Sequence, residues 1–150
     1  MINIVLYKPD IPQNTAAIVR LSACLNLKIH IIEPCGFNLD DSRFKRVAMD
    51  YIKLSQIVRY PDFESLVKKN SKARIVLITT KSKKFYHQFK YKKNDFLVFG
   101  RESAGVPDEI RKKIKKKLKI PLSGIARSLN VAISVAIVAS EALKQNNFFK

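Results

Sequence analysis

Two stretches of the chain hold most of the side chains able to do chemistry. One is Gly100-Arg101-Glu102-Ser103-Ala104-Gly105-Val106-Pro107, which follows the apolar run Phe96-Leu97-Val98-Phe99. The other is Ile120-Pro121-Leu122-Ser123-Gly124-Ile125-Ala126-Arg127-Ser128-Leu129-Asn130, which leads into Val131 to Leu143, a segment almost free of charge. An apolar run that stops at glycine and turns through small and charged residues reads as a strand delivering a loop. Glu102, Arg127, Ser128 and Asn130 offer charge and hydrogen bonds of both polarities, while Gly100 and Gly105 let backbone approach a ligand closely. In open α/β sheets, ligands sit beyond the carboxyl ends of the strands. Taken singly, the glycines are turn formers and Ser128 is a helix cap; taken together in two loops, they predict a small-molecule pocket.

The elements that must position these loops follow from hydrophobic periodicity. Ile2 to Tyr7, Lys28 to Ile32, Ile57 to Tyr60 and Ile75 to Thr79 read as short strands, the last rich in β-branched residues. Between them, Asn14 or Thr15 is placed to cap a helix whose apolar face is Ile18, Leu21, Cys24 and Leu25, with Arg20 one and a half turns beyond the cap. Asp40 to Met49 reads as a short polar helix, and Pro61-Asp62 starts another of about eight residues that ends near Asn70. Ile110, Ile114 and Leu118 lie at helical spacing and predict a helix with a basic outer face. The alternation predicts an α/β fold, with a mostly parallel sheet covered by helices on both faces, in a single domain over residues 1–150. Val131 to Leu143 is apolar almost all round and must be covered on two sides, by the sheet and by a second copy, which predicts a homodimer.

Charge points to the partner. Lys plus Arg number 29 against 12 Asp plus Glu, a formal +17, which predicts a polyanion and, among soluble ones, nucleic acid. The basic residues cluster. Lys81 to Lys93 interleaves six lysines with Phe85, Tyr86, Phe89 and Tyr91, and seven of the nine residues from Arg111 to Lys119 are basic. Exposed aromatics among lysines suit unpaired RNA bases. No apolar run reaches the length of about 18 residues that a membrane helix needs, and Met1 to Leu6 reads as a strand rather than a leader. With only Cys24 and Cys35, and only His30 and His87, there is neither a disulfide framework nor metal-ligand spacing, so the expectation is a cytoplasmic, metal-free protein. The four glycines form no dinucleotide-binding or P-loop fingerprint.

These motifs resemble those of a known class. Phe96 to Pro107 and Ile120 to Asn130 look like motifs two and three of the SPOUT RNA methyltransferases, and Ile11-Pro12-Gln13-Asn14-Thr15 followed by Arg20 looks like motif one. Order and spacing agree over nearly the whole chain, most closely with the single-domain tRNA (cytidine(34)-2'-O)-methyltransferase group, which acts on the wobble nucleotide of certain leucine tRNAs. The resemblance implies a C-terminal trefoil knot, which general rules of chain connection would not suggest. It implies S-adenosylmethionine as cofactor, held largely by main chain at Ile78, Gly100, Ile120 and Ser128. It further implies Arg20 beside the reacting 2'-hydroxyl, Asn14 and Glu102 positioning Arg20 and substrate, and Ser128 and Asn130 fixing the motif-three loop. A guanidinium keeps its charge, so the role implied for Arg20 is stabilisation of a developing alkoxide. Ala16, Ala132 and Ser140 depart from residues common among relatives and bear on substrate choice. The partner implied is a tRNA anticodon stem-loop; the alternatives are another tRNA or rRNA ribose, or a non-catalytic RNA-binding module.

Overall fold

A computed structural model describes residues 1–53 and 55–149, Met49 by its backbone alone. Six parallel strands form one sheet: β1 (Asn3–Tyr7), β2 (Lys28–Ile32), β3 (Gln56–Tyr60), β4 (Ile75–Ile78), β5 (Phe96–Phe99) and β6 (Lys116–Leu118), in the order β3-β2-β1-β5-β4-β6. Among the described residues five α-helices flank the sheet: α1 (Pro12–Cys24), α2 (Ser42–Ile52), α3 (Phe63–Lys69), α4 (Asp108–Lys113) and, after the last strand, α5 (Val131–Gln145).

Strand side chains alternate between two apolar layers, as the pleat requires. Ile4, Leu6, Ile29, Ile31, Val76, Leu97 and Leu118 pack with α1, α2 and α5, whereas Val5, Tyr7, Ile32, Leu77 and Val98 pack with Phe63 and Leu66 of α3 and Ile110 of α4. The expected sheet with helices on both faces is therefore the observed one. The central strands are apolar on both sides because both of their faces are buried. Among the described residues, no helix is long and apolar enough to cross a membrane.

Three expectations need correction. First, α1 begins at Pro12 with Ile11 as its uncapped N-terminal neighbour, so neither Asn14 nor Thr15 caps it. Proline suits the first helical position because it lacks an N–H that would go unpaired there. Second, Ile110, Ile114 and Leu118 do not share a helix. The helix stops at Lys113, Ile114 is extended, and Leu118 lies in β6 on the opposite face of the sheet. Pairing with β4 outweighs the helical spacing, and Lys116 and Lys117 blunt the resulting free edge. The strand that leads toward the second loop is thus β6, ending at Leu118.

Third, Phe89 and Tyr91 are core residues rather than exposed stacking platforms. They are held by a clamp in which Arg74 donates two hydrogen bonds to the buried Asp95, at 2.6 and 2.5 Å, and lies over the Phe89 ring. The six lysines of that segment point outward. Within one chain α5 buries one face, through its own Val135, Val138, Ala139, Ala142 and Leu143, and leaves Ile133 53% exposed.

The fold also buries a polar chain in which every member is partnered. Asn70 donates to the Tyr60 hydroxyl, and the His30 ring joins Tyr60 through Nδ1 at 3.0 Å and Asn3 Oδ1 through Nε2 at 3.0 Å. A neutral ring with its proton on Nε2 satisfies all of them. Burial, with Lys28 and Lys69 adding to it, lowers the His30 pKa from its usual 6.5 to about 4. Between those values the unfolded chain binds more protons than the folded one, so stability rises with pH through this window and levels off above it. Stability is expected to fall by roughly 3 kcal/mol from pH 6.5 to 4 through this group, and His30→Gln is expected to flatten that slope in urea titrations. An equal slope in the variant would contradict this assignment.

Candidate active site

The site is built where β1 and β5 lie side by side, with Leu6 opposite Phe99. Their outgoing connections diverge there, β1 leading toward β2 on one side and β5 toward β6 on the other, which makes a switch-point crevice. After β5 the chain folds back on itself, with mutual hydrogen bonds between Arg101 and Gly105. The turn is tight enough that a Cβ on Gly100 would fall 2.5 Å from Gly105 Cα.

The loops after β1 and β5 then interlock. The Asp10 N–H donates to Glu102 Oε2 at 2.9 Å, and the Glu102 N–H donates to Asp10 Oδ1 at 3.1 Å. Each acidic side chain accepts from the other's backbone, which offsets the repulsion of two adjacent carboxylates. The Ser103 hydroxyl also donates to Asp10, and Arg101 Nε lies 3.3 Å from the same oxygen. The hydrogen bonding with Glu102, then Ser103 and the Arg101 charge, hold the Asp10 carboxyl well below the usual carboxylate range, although partial burial opposes them.

Freed from capping, Asn14 joins three segments. Its Nδ2 donates to Glu102 Oε1 at 3.2 Å, and its Oδ1 accepts from Asn130 Nδ2 at 2.8 Å. Asn130 in turn caps α5, its Oδ1 accepting from the N–H groups of Ala132 and Ile133. Asn130, not Ser128, is thus the cap of the last helix. One hydrogen-bonded line, Asp10–Glu102–Asn14–Asn130, ties together the three stretches singled out in the sequence.

Beside this line lies a cavity of about 480 Å³, within the size range of small-molecule sites. Its wall includes Asn14, Ile78, Gly100, Glu102, Ile120, Ser128 and Asn130, so seven of the eight expected site residues meet there. Arg20 does not line it. It lies six residues, or about 9 Å, further along α1, exposed, with its guanidinium 5.2 Å from the centre of the Tyr51 ring. Among the described residues Arg20 has no ion-pair partner.

Several wall residues escaped the sequence reading. Arg101 and Ser103 gave a signal in flanking Glu102, and Asp10, beside the cavity rather than on its wall, gave one in its place between Pro9 and Pro12. Arg111 gave none, because it reads as part of a basic run. It stands on the cavity wall, donates to Asp108 at 2.7 Å, and keeps a buried Nε with no partner among the described residues. A buried donor without a partner is costly, and a ligand acceptor would satisfy it. Leu77, Ile78, Phe99, Leu129 and Val131 give the cavity an apolar side, while strand-end main chain and Asn14, Glu102 and Ser128 give it a polar one.

Fold and site together define a parallel α/β protein with a ligand cleft at the switch point of its sheet. The model of the SpoU rRNA Methylase family matches residues 1–140, and the chain belongs to that family. It is 40% identical over 146 residues to the tRNA (cytidine(34)-2'-O)-methyltransferase of Ancylobacter novellus, covering 96% of this chain and 92% of that one. A solved structure described as "Structural insights into the 2-OH methylation of C/U34 on tRNA" superposes with TM-score 0.93 at 33% identity, covering 98% and 97%. AviRb from Streptomyces viridochromogenes, solved in complex with AdoMet, shares the fold with TM-score 0.88 at 20% identity; the match covers 97% of this chain and 57% of that one.

The interlock depends on a residue outside the cavity. A Cβ on Gly36 would fall 2.5 Å from Asp10 Cβ and 2.8 Å from its Cα. Gly36→Ala is therefore expected to displace Asp10 and lower the unfolding free energy by about 1–3 kcal/mol, read from the urea midpoint. An unchanged midpoint would show that Asp10 is not held as described.

Proposed function

We propose that the protein transfers the methyl group of S-adenosylmethionine to the ribose 2'-hydroxyl of wobble nucleotide 34, cytidine or modified uridine, in leucine tRNAs. The observation that carries this reading is the line Asp10–Glu102–Asn14–Asn130 beside a cavity, in a chain 40% identical to an enzyme of that name. The cavity fits the cofactor. Its volume suits a nucleoside with a short tail, its apolar side suits a base, and Arg111 Nε offers an unused donor. Bound S-adenosylmethionine supplies an electrophilic methyl group on a sulfonium centre.

The chain supplies binding, alignment and stabilisation of charge. Ile78, Gly100 and Ile120 hold the cofactor chiefly through main chain, with Ser128 at the rim. Asn14 and Glu102, each locked by the other, orient the substrate ribose, and Asn130 fixes the second loop against them. Alignment of this kind contributes by turning a bimolecular encounter into an oriented one, and the apolar wall excludes water. Arg20 stabilises the negative charge that develops on the 2'-oxygen. Because Arg20 lies away from its own cavity, it reaches a reacting hydroxyl only across a subunit boundary or through bound RNA. That ties its role to a homodimer, for which the exposed Ile11, Leu129 and Ile133 offer apolar surface.

The reading also includes a C-terminal trefoil knot and a cytoplasmic setting. Support for the threading lies in Lys119, which pairs with Lys84 and Tyr86 before α5 returns to the same segment through Gln145 and Phe89. The test is transfer of labelled methyl from S-adenosylmethionine to unmodified tRNA, with nuclease mapping of the product, for wild type and Arg20→Ala. Label is expected at nucleotide 34, and Arg20→Ala is expected to lower turnover by about 100-fold or more with cofactor affinity unchanged. Label at another ribose would discard the substrate, and full turnover by Arg20→Ala would remove its role. No label with tight RNA binding would leave a binding module.

A further inference from the structure

The amino-terminal end of the sheet, opposite the cavity just described, carries a second concave surface. One part, of about 640 Å³, is lined by Lys69, Lys72, Lys92 and Lys93 around Ala73, Arg74 and Asn94. A neighbouring groove of about 530 Å³ shares Ala73 and Arg74 with it and adds Lys68, Lys115 and Lys116. The two form one continuous surface running from the start of β5 to the free edge of β6.

Its charge is almost all of one sign. The carboxylates within it are spent: Asp95 is 1% exposed and holds Arg74 in a bidentate pair, and Glu64 pairs with Lys113. The seven lysines named above are exposed and have no carboxylate partner among the described residues. Clustered like charges repel in the folded state, so this surface is stabilised by a multivalent anion. Its lysines stand on three separate segments, the end of α3, the Lys92–Lys93 turn and β6, so no local ion pairing explains them.

We infer that this surface binds the phosphate backbone of the RNA at a point remote from the reacting nucleotide, an inference that rests on the RNA methyltransferase reading above. The four-residue strands β4 and β5 separate the two ends of the sheet by about 13 Å, and the basic edge strand β6 bridges them. A polynucleotide whose reacting ribose rests against Asn14 and Glu102 at the cavity wall can continue along Lys117 and Lys116 to the groove. An acidic membrane surface suits it less, because among the lining residues Val67 is the only large apolar side chain that is exposed, and such surfaces favour apolar insertion.

The test compares wild type with the quadruple variant Lys69→Gln, Lys72→Gln, Lys92→Gln, Lys93→Gln and its all-arginine counterpart. Affinity is measured for full-length tRNA and for an isolated anticodon hairpin over a range of salt. The glutamine variant is expected to lose about tenfold or more in affinity for tRNA, and its salt slope to fall by about 2, since each phosphate contact contributes near 0.7–0.9. Its affinity for the hairpin, and its methyl transfer to the hairpin, stay at the wild-type level, and the arginine variant keeps full tRNA affinity. Unchanged tRNA affinity, or equal losses on tRNA and hairpin, would overturn the inference. So would a variant that binds tRNA normally but loses binding to phosphatidylserine vesicles. Failure of wild type to methylate either RNA would instead overturn the functional reading, and the two results are separable in the same samples.

Discussion

The reciprocal pairing of Asp10 with Glu102 is the contact on which the site depends. It exists because β1 and β5 are adjacent and parallel, so the loops that leave them emerge together although they are 92 residues apart in sequence. Once the two loops lock, Glu102 can fix Asn14, Asn14 can fix Asn130, and Asn130 can cap α5. Asp10, Glu102 and Asn14 each spend polar groups on another segment of the site, and Asn130 divides its amide between Asn14 and its own helix. That leaves α1 without a side-chain cap: Ile11 holds the capping position, and Pro12 after it has no N–H to leave unpaired.

The opposite end of the sheet is secured by different means. There the Arg74–Asp95 clamp joins the starts of β4 and β5, with Phe89 and Tyr91 packed behind it, and the buried line Asn70–Tyr60–His30–Asn3 ties β3, β2 and β1 together. Breaking a buried pair such as Arg74–Asp95 leaves an uncompensated charge, so this end is rigid. The carboxyl end has exposed loops, notably residues 123 to 130, on a rigid base. That division suits a site that must admit a large substrate.

Much of the architecture was legible because burial leaves a plain mark on sequence. Ile2 to Tyr7 and Phe96 to Phe99 read as strands since both faces of the central sheet are covered, and no polar residue fits their interior except in partnered positions such as Asn3. Glu102, Ser128 and Asn130 were legible as a site because polar residues at strand ends have few structural duties. What failed did so for physical reasons. Ile110, Ile114 and Leu118 are all buried, yet on two faces of the sheet, and spacing alone does not distinguish one helical stripe from a helix followed by a strand. Phe89 and Tyr91 looked like stacking platforms because their neighbours are lysines, and nothing local announces that Arg74 and Asp95 draw that loop into the core. Arg111 was hidden by the charge run around it.

The most direct measurement is a double-mutant cycle on Asn14 and Glu102, with Asn14→Ala, Glu102→Gln and the double variant compared by kcat/KM for methyl transfer. If the hydrogen-bonded line acts as a unit, either change disconnects it, and the double variant loses little more than the worse single one, giving a coupling of about 1 kcal/mol or more. Losses that simply add would mean that the two residues act separately and that the line does not assemble the site.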